Sequence, residues 1–159
     1  MAMTLPGYLV TALQYLGYEW PSSNEDVLNN NAAAFDDAGA AAAAAIDEIS
    51  GAIRHIDGLN DSDASAAFLG YMKGSESNLA SLGDFQDASS TIAGGFRLVA
   101  GAVVILKGVV IAQLVILAAA IASAFFTFGL GAVAAVAARE AAKRLINLAI
   151  NVAIEKVLG

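Results

Sequence analysis

The chain of 159 residues contains no cysteine, two prolines and one histidine. The absence of cysteine excludes disulfide bridges and thiolate zinc sites, and it leaves the redox compartment undetermined. Both prolines, Pro6 and Pro21, lie near the amino terminus, so no proline after position 21 interrupts a long helix. The single histidine, His55, leaves little material for a metal site or a catalytic triad.

Charged residues make up only 14% of the chain and are divided unequally. Residues 1–96 carry 13 acidic and 2 basic side chains, whereas residues 97–159 carry 2 acidic and 6 basic ones. Phosphate binding requires clustered lysine and arginine, so the acidic part argues against nucleic acid as a partner. We interpret its carboxylates as a solvated surface.

The first eight residues also lack the features of a secretory signal peptide. They have no basic region followed by an apolar stretch and a small-residue cleavage site. If the protein leaves the cell, we therefore expect it to be secreted by a signal-peptide-independent route; the other localisation that we consider is association with a membrane.

The chain is rich in apolar residues, which make up 58% of it, with alanine prominent among them. This composition favours helix, and we predict an all-α fold in which a long antiparallel helical hairpin packs with further apolar helices into an elongated bundle. The predicted single domain spans 1–159, with a short helix at 5–17, a helical hairpin at 24–82 and an apolar helical region at 84–159. We expect it to be the front part of a longer protein.

An apolar residue recurs every seven positions along the first arm of the predicted hairpin, which opens at a capping box of Ser22 and Glu25. Seven-residue spacing keeps one stripe facing a partner helix along its length. The turn is predicted at Ile56, Asp57 and Gly58, where glycine can adopt the left-handed conformation. The residues predicted to pack the two arms together are Leu28, Phe35, Ile49, Phe68 and Tyr71.

The second arm is predicted to end near Leu82, and a new helix is expected after residues 84–87. That helix leads into an uncharged run, Gly108 to Phe128, inside a longer stretch whose only charged residue is Lys107. A run of about 20 apolar residues either crosses a bilayer or forms the enclosed centre of a bundle. Residues 127–131 contain two glycines and predict a break between two helices.

If the run crosses a membrane, basic residues should flank it on one side. The candidate membrane residues are Gly108, Leu114, Leu117, Phe125 and Phe128, and the candidate flanking residues are Lys107, Arg139, Lys143 and Arg144.

The order of these segments resembles a known family. A helix, a tight turn with glycine and a second helix form the plan of the small WXG-type hairpins exported by the type VII (ESX-type) pathway. Here Ile56-Asp57-Gly58 stands where Trp-Xaa-Gly would stand, keeping the glycine and losing the tryptophan. We therefore extend the comparison to the whole chain.

The opening Leu5-Pro6 helix, Trp20-Pro21, Asn24-Glu25-Asp26, the hairpin and the final apolar pair resemble the WXG-like amino-terminal domain of large exported toxins. These are typified by an outer-membrane channel protein with a necrotizing toxin at its carboxyl end. The resemblance implies a domain that directs export or helps delivery of a toxin module placed after it.

The same resemblance implies an export signal of the form Tyr-Xaa-Xaa-Xaa-Asp/Glu after the hairpin. Tyr71 is followed by Glu76, one place too far, so export rests on the overall architecture. The expected partners are the type VII machinery or a small helical protein that supplies the signal.

Catalytic chemistry has little support in the sequence. The acidic pairs Asp36-Asp37 and Asp47-Glu48 occupy adjacent positions, which diverge by about 100° around a helix and suit a solvated face better than a catalytic dyad. We predict no enzymatic activity, no cofactor and no metal site. Three hypotheses remain: a targeting and delivery domain, a membrane-inserted or pore-forming translocation domain, and a self-assembling homo-oligomeric module.

Overall fold

The computed structural model describes residues 2–126 and 131–158, and within these ranges it contains helices and no strand. The helices are α1 (Gly7–Tyr15), α2 (Glu25–Leu59), α3 (Asp63–Met72), α4 (Asn78–Phe126) and α5 (Gly131–Leu158). The prediction of an all-α fold is confirmed. The predicted break at 127–131 falls mainly on residues 127–130, which lie outside the described part of the chain.

The chain divides into two compact units. Unit 1 comprises Met1–Leu28 and Leu98–Gly159, and unit 2 comprises Asn29–Arg97. Unit 2 carries ten acidic and three basic side chains, whereas unit 1 carries five of each. The acidic character of the protein therefore belongs to unit 2, while unit 1 is neutral overall.

Helix α1 begins directly after Pro6, whose ring fixes a backbone angle that suits the start of a helix. It ends because Gly17 adopts the left-handed conformation, with φ of +90°. The Gly17 amide bonds to the Gln14 carbonyl at 2.9 Å, and the Tyr18 amide bonds to the Leu13 carbonyl at 3.2 Å. The chain can then turn sharply towards the next helix.

The ends of α2 differ from the prediction. Asn24 caps its first turn by accepting hydrogen bonds from the amides of Asp26 at 2.9 Å and Val27 at 3.2 Å, so the predicted Ser22–Glu25 capping box is wrong. Residues 56–58 lie in the last turns of α2, and the connection to α3 is formed by residues 60–62. Ser62 and Ser65 form a capping box that starts α3. A polar cap therefore sets the turn, and Gly58 does not adopt the left-handed conformation.

The second break also lies elsewhere than predicted. The chain leaves helical structure between α3 and α4, and α4 then continues for 49 residues through Gly83, Gly94 and Gly95. Ser77 supports the first turn of α4, since its hydroxyl accepts a hydrogen bond from the Ala80 amide at 3.1 Å. A helical glycine costs about 1 kcal/mol relative to alanine, which does not outweigh a well-capped start and tertiary packing.

Within unit 2, the antiparallel neighbour of α2 is the first part of α4. The rings of Phe35 and Phe96 stack with centroids 5.8 Å apart, and Asp36 forms an ion pair with Arg97. One turn further along α2, a Cβ placed on Gly39 would lie 3.5 Å from the Cβ of Ser89. Small residues at this crossing allow the two backbones to approach closely.

Within unit 1, α1 packs against α4 and α5. The buried members of this core are Leu13, Leu16, Val110, Leu114, Leu117 and Ile146. The partly buried residues packed against it include Leu5, Leu9, Trp20, Leu106 and Ile150. The amino-terminal segment thus supplies one side of the core, and the apolar run of α4 together with α5 supplies the rest.

The two glycines at Gly17 and Gly58 give opposite predictions. A Cβ at either position would meet no atom within 4 Å, so only backbone conformation matters. We expect Gly17→Ala to lower the free energy of unfolding by about 1 kcal/mol, because an L-residue is strained at this positive φ. Gly58→Ala should instead raise it by about 0.5–1 kcal/mol, since alanine is the better helix former.

Urea denaturation followed by circular dichroism measures both effects. The two substitutions add the same methyl group, so each is the control for the other. A destabilising Gly58→Ala would mean that Gly58 is a left-handed cap after all.

Candidate functional site

The candidate site is built around Lys107, a charged residue in the middle of an apolar helix. Its side chain is buried in unit 1, with only 2% of the residue exposed. The Nζ atom donates hydrogen bonds to Oε2 of Glu25 at 2.6 Å and to the backbone carbonyl of Ser23 at 2.8 Å. Glu25 is itself 5% exposed, so the two charges form a buried ion pair. A buried charge is tolerated only with such a partner.

The surroundings of this pair come from residues 2–28. The ring of Trp20 lies 5.7 Å from Lys107 Nζ, a distance that permits a cation–π interaction. The backbone amide of Met3 donates a hydrogen bond to Oε1 of Glu25. Met3 and Glu25, which are 22 positions apart, thereby meet at Lys107. Glu25 therefore links the beginning of residues 2–28, through Met3, to Lys107 of α4.

These contacts stabilise the ionised form of Glu25. The Lys107 hydrogen bond and the Met3 amide are the leading causes that lower the Glu25 pKa from its ordinary 4.5 to about 2. Desolvation by burial acts in the opposite direction and is outweighed. The carboxylate thus keeps its charge at neutral and mildly acidic pH.

A second polar contact joins the same amino-terminal segment to α5. The hydroxyl of Tyr18 lies 3.1 Å from the backbone carbonyl of Lys143 and 2.9 Å from Oδ1 of Asn147. It can donate its proton to either oxygen. Residues 2–28 are consequently connected to both apolar helices by polar contacts as well as by packing.

The candidate membrane residues occupy different environments. Leu114 and Leu117 are buried in the core of unit 1, and Gly108 is exposed on α4. The side chain of Phe125, and Phe128 as a whole, lie outside the described part of the structure. The buried leucines indicate that at least one face of the run is a bundle core in this structure.

The candidate flanking residues are also divided. Arg139 and Lys143 are half-buried on α5, and Arg144 is exposed. Lys107 does not flank the apolar helix at a solvent boundary, because it is enclosed and paired with Glu25. Its role as a membrane flank therefore stays a prediction, and in this conformation the side chain is the buried partner of Glu25.

The predicted hairpin residues lie as follows. Phe35 is half-buried against Phe96, and Ile49 is half-buried on α2. Phe68 and Tyr71 on α3 are 41% and 51% exposed, so they do not provide the main packing of the second arm. Leu28 is half-buried at the end of the amino-terminal segment of unit 1. The turn residues Ile56, Asp57 and Gly58 lie on α2, where Asp57 forms an exposed ion pair with Lys73 at 3.2 Å.

Sequence reasoning missed the partners of Lys107. The sequence predicts only that Glu25 lies at a helix start, which is where α2 begins, and it predicts no contact of Tyr18. One signal could have found the pair: a lone cation inside a long apolar stretch requires an anion if the stretch is a bundle core. In the part of the chain that the structure describes, no group of three or more His, Cys, Asp or Glu side chains could hold a metal ion.

The fold and this site define an all-α protein with an apolar helical core and a buried ion pair. A comparison with known families matches residues 4–148 to the WXG100 like domain. The chain belongs to this family, and it is a type VII secretion-related helical protein. Comparisons with curated proteins and with solved structures gave no significant match.

Family membership carries general properties. Proteins of this family are generally non-enzymatic, work with the type VII machinery or with partner proteins, and oligomerise. Secretion by the type VII route follows from the same membership.

The Glu25 pKa predicts a specific loss of stability in acid. Glu25 titrates near 4.5 when unfolded and near 2 when folded, so its contribution is complete above about pH 4.5 and disappears as the pH falls to 2. The urea midpoint of unit 1, followed by fluorescence of Trp20, should therefore fall across this range. Trp20 is the only tryptophan in the chain.

The matched control is Glu25→Gln, which lacks this titration but keeps all other carboxylates. We expect its midpoint to change less between pH 5 and pH 2 than that of the unmodified protein. Equal pH dependence in the two proteins would contradict the role assigned to Glu25.

Proposed function

We propose that this chain is the non-catalytic targeting and delivery domain of a type VII-secreted toxin, with the toxin module following it in a longer protein. The single observation that carries the proposal is the WXG100-like match over residues 4–148. Helix α2 packs antiparallel to the first part of α4, and secretion would depend on this pair of helices. The predicted single domain over 1–159 is part of this proposal.

The machinery, or a small helical partner, would recognise unit 2. Its surface has a strong acidic excess, and α3 presents exposed aromatic residues at Phe68 and Tyr71. Because Tyr71 lacks an acidic residue four places later, a partner that supplies the export signal fits this chain.

A reporter fused to the carboxyl end of the full chain tests the proposal. The fusion should accumulate in the medium of cells with a working type VII system and remain inside cells that lack it. Ala32→Asp should abolish export, since it places a charge at a fully buried position of unit 2. Ala33→Asp makes the same change at the exposed neighbouring position and should be exported normally.

The fluorescence of Trp20 reports whether unit 1 remains folded in both variants. Export of Ala32→Asp at the level of Ala33→Asp would exclude recognition of the folded hairpin. Export of the unmodified fusion without the machinery would exclude the proposal as a whole.

A second candidate function is membrane insertion or translocation. By length and composition alone, one stretch of α4, Asn78–Ala120, could cross a bilayer. The most apolar 18 consecutive residues of this stretch have a mean hydropathy of 2.5, and 33% of them are buried. Several large apolar side chains on α4 and α5 are exposed, which also favours homo-oligomerisation as an alternative.

Flotation with liposomes separates these two alternatives. Recovery with the vesicles at neutral pH would support insertion. A protein that stays in the soluble fraction at neutral and acidic pH, and sediments as an oligomer, would support self-assembly instead.

A further inference from the structure

We propose that the Lys107–Glu25 ion pair is a latch that holds residues 2–28 over the apolar surface of α4 and α5, and that opening it uncovers this surface for a lipid bilayer. The lipid destination rests on the second candidate function, membrane insertion, whereas the latch rests on the contacts within unit 1.

Residues 2–28 cover an apolar face of α4. Leu13 and Leu16 are buried against Val110, Leu114 and Leu117 in the core of unit 1. These three α4 residues belong to the uncharged run. Removing the amino-terminal segment would therefore expose a row of leucine and valine side chains to water.

The opposite side of the same helix is already apolar. Val115 and Ile116 are exposed, although they follow the buried Leu114 directly. Once its covered face is released, α4 would be apolar around its circumference in this region except at Gln113, which approaches the pattern of a helix surrounded by lipid.

The ion pair lies where residues 2–28 meet α4. Trp20, Ser23 and Glu25, which surround Lys107 Nζ, all belong to residues 2–28. If that segment moves away, Lys107 loses its anion, its carbonyl acceptor and its aromatic neighbour together. An unpaired ammonium is unfavourable in an apolar core, so burial of Lys107 depends on the closed segment.

Lys107 would have a different role in the open state. It directly precedes the uncharged run that begins at Gly108. A lysine at this place can extend its ammonium group to the headgroup region while its methylenes remain in apolar surroundings. The same side chain would thus be a buried counter-ion in the closed state and a membrane flank in the open state.

Removing the anion should shift the equilibrium between these states. Glu25→Gln leaves Lys107 without its counter-charge in the closed state, whereas in the open state both side chains are hydrated. A substitution that disfavours one state alone moves the population towards the other. Adding Lys107→Met to Glu25→Gln removes the unpaired charge and should restore the closed state.

Three measurements on the full chain test the latch: quenching of Trp20 by acrylamide, hydrogen exchange of the α1 amides, and flotation with vesicles of phosphatidylcholine and phosphatidylglycerol. For Glu25→Gln we expect stronger quenching, faster exchange in α1 and roughly tenfold more vesicle binding. The double variant should return to the values of the unmodified protein. Asp57→Asn removes the exposed ion pair with Lys73 in unit 2 and should change nothing.

The outcomes distinguish the latch from the membrane function. Unchanged Trp20 quenching and α1 exchange in Glu25→Gln would overturn the latch, even if all variants bound vesicles. Exposure of Trp20 without vesicle binding would overturn the lipid destination and the second candidate function, membrane insertion, but not the latch. Failure of the double variant to close would also overturn the latch, because loss of packing alone would then explain the opening.

Discussion

Leu114→Ala is expected to lower the free energy of unfolding of unit 1 by about 3 kcal/mol. Leu114 lies within the uncharged run and is only 1% exposed. It shares a core with Leu13 of α1 and Ile146 of α5, so truncation removes apolar contacts on two sides and leaves a cavity. Urea denaturation followed by Trp20 fluorescence measures the change, since Trp20 packs against the same core.

Ile116→Ala is the matched control, because it removes a side chain of similar size two positions away. Ile116 is 54% exposed, and we expect a loss of less than about 1 kcal/mol. The contrast tests whether the run is a bundle core in the folded protein. Equal losses would mean that α1 does not cover α4 as described.

Much of the helical architecture could be predicted from the sequence because it depends on local patterns. The seven-residue spacing along α2 places Ala42 in the buried core and Phe35 against a neighbouring helix. The proline before α1 and Gly17 after it mark the two ends of that helix. Such signals act over a few residues and remain readable without the rest of the chain.

The break between α3 and α4 was harder to predict, because glycine is an ambiguous signal. Gly83, Gly94 and Gly95 lie inside α4, whereas the actual break is followed by the capping residue Ser77. Serines are common throughout the chain, and a serine caps a helix only where its hydroxyl can accept a hydrogen bond from a backbone amide of the first turn. The sequence therefore predicts that Phe68 and Tyr71 pack against α2, whereas in the structure Phe96 of α4 stacks on Phe35.

The candidate site could not be predicted from local patterns at all. Lys107 and Glu25 are 82 positions apart, and Tyr18 reaches Asn147 across 129 positions. A lysine beside an uncharged run reads equally well as a membrane flank or as the buried half of an ion pair. Only the fold, which brings the amino-terminal segment onto α4, reveals the anion that makes Lys107 the buried half of an ion pair in this conformation.

Lys107→Met is expected to destabilise unit 1 more than the double variant Glu25→Gln/Lys107→Met, although the double variant changes more residues. The single variant leaves the Glu25 carboxylate enclosed with the Met3 amide but without its cation. Removing one member of a buried ion pair is strongly unfavourable, whereas replacing both by neutral groups is often nearly neutral. Methionine also fits the volume of the lysine stem and can contact the Trp20 ring.

The urea midpoints of the four proteins form a double-mutant cycle, again followed by Trp20 fluorescence. We expect each single variant to have a lower midpoint than the double variant. Lys73→Met is the control, because it breaks the Lys73–Asp57 pair, whose side chains are 61% and 53% exposed, and should change little. Additive effects of Glu25→Gln and Lys107→Met would contradict the coupling. In that case apolar packing alone would hold the amino-terminal segment on α4.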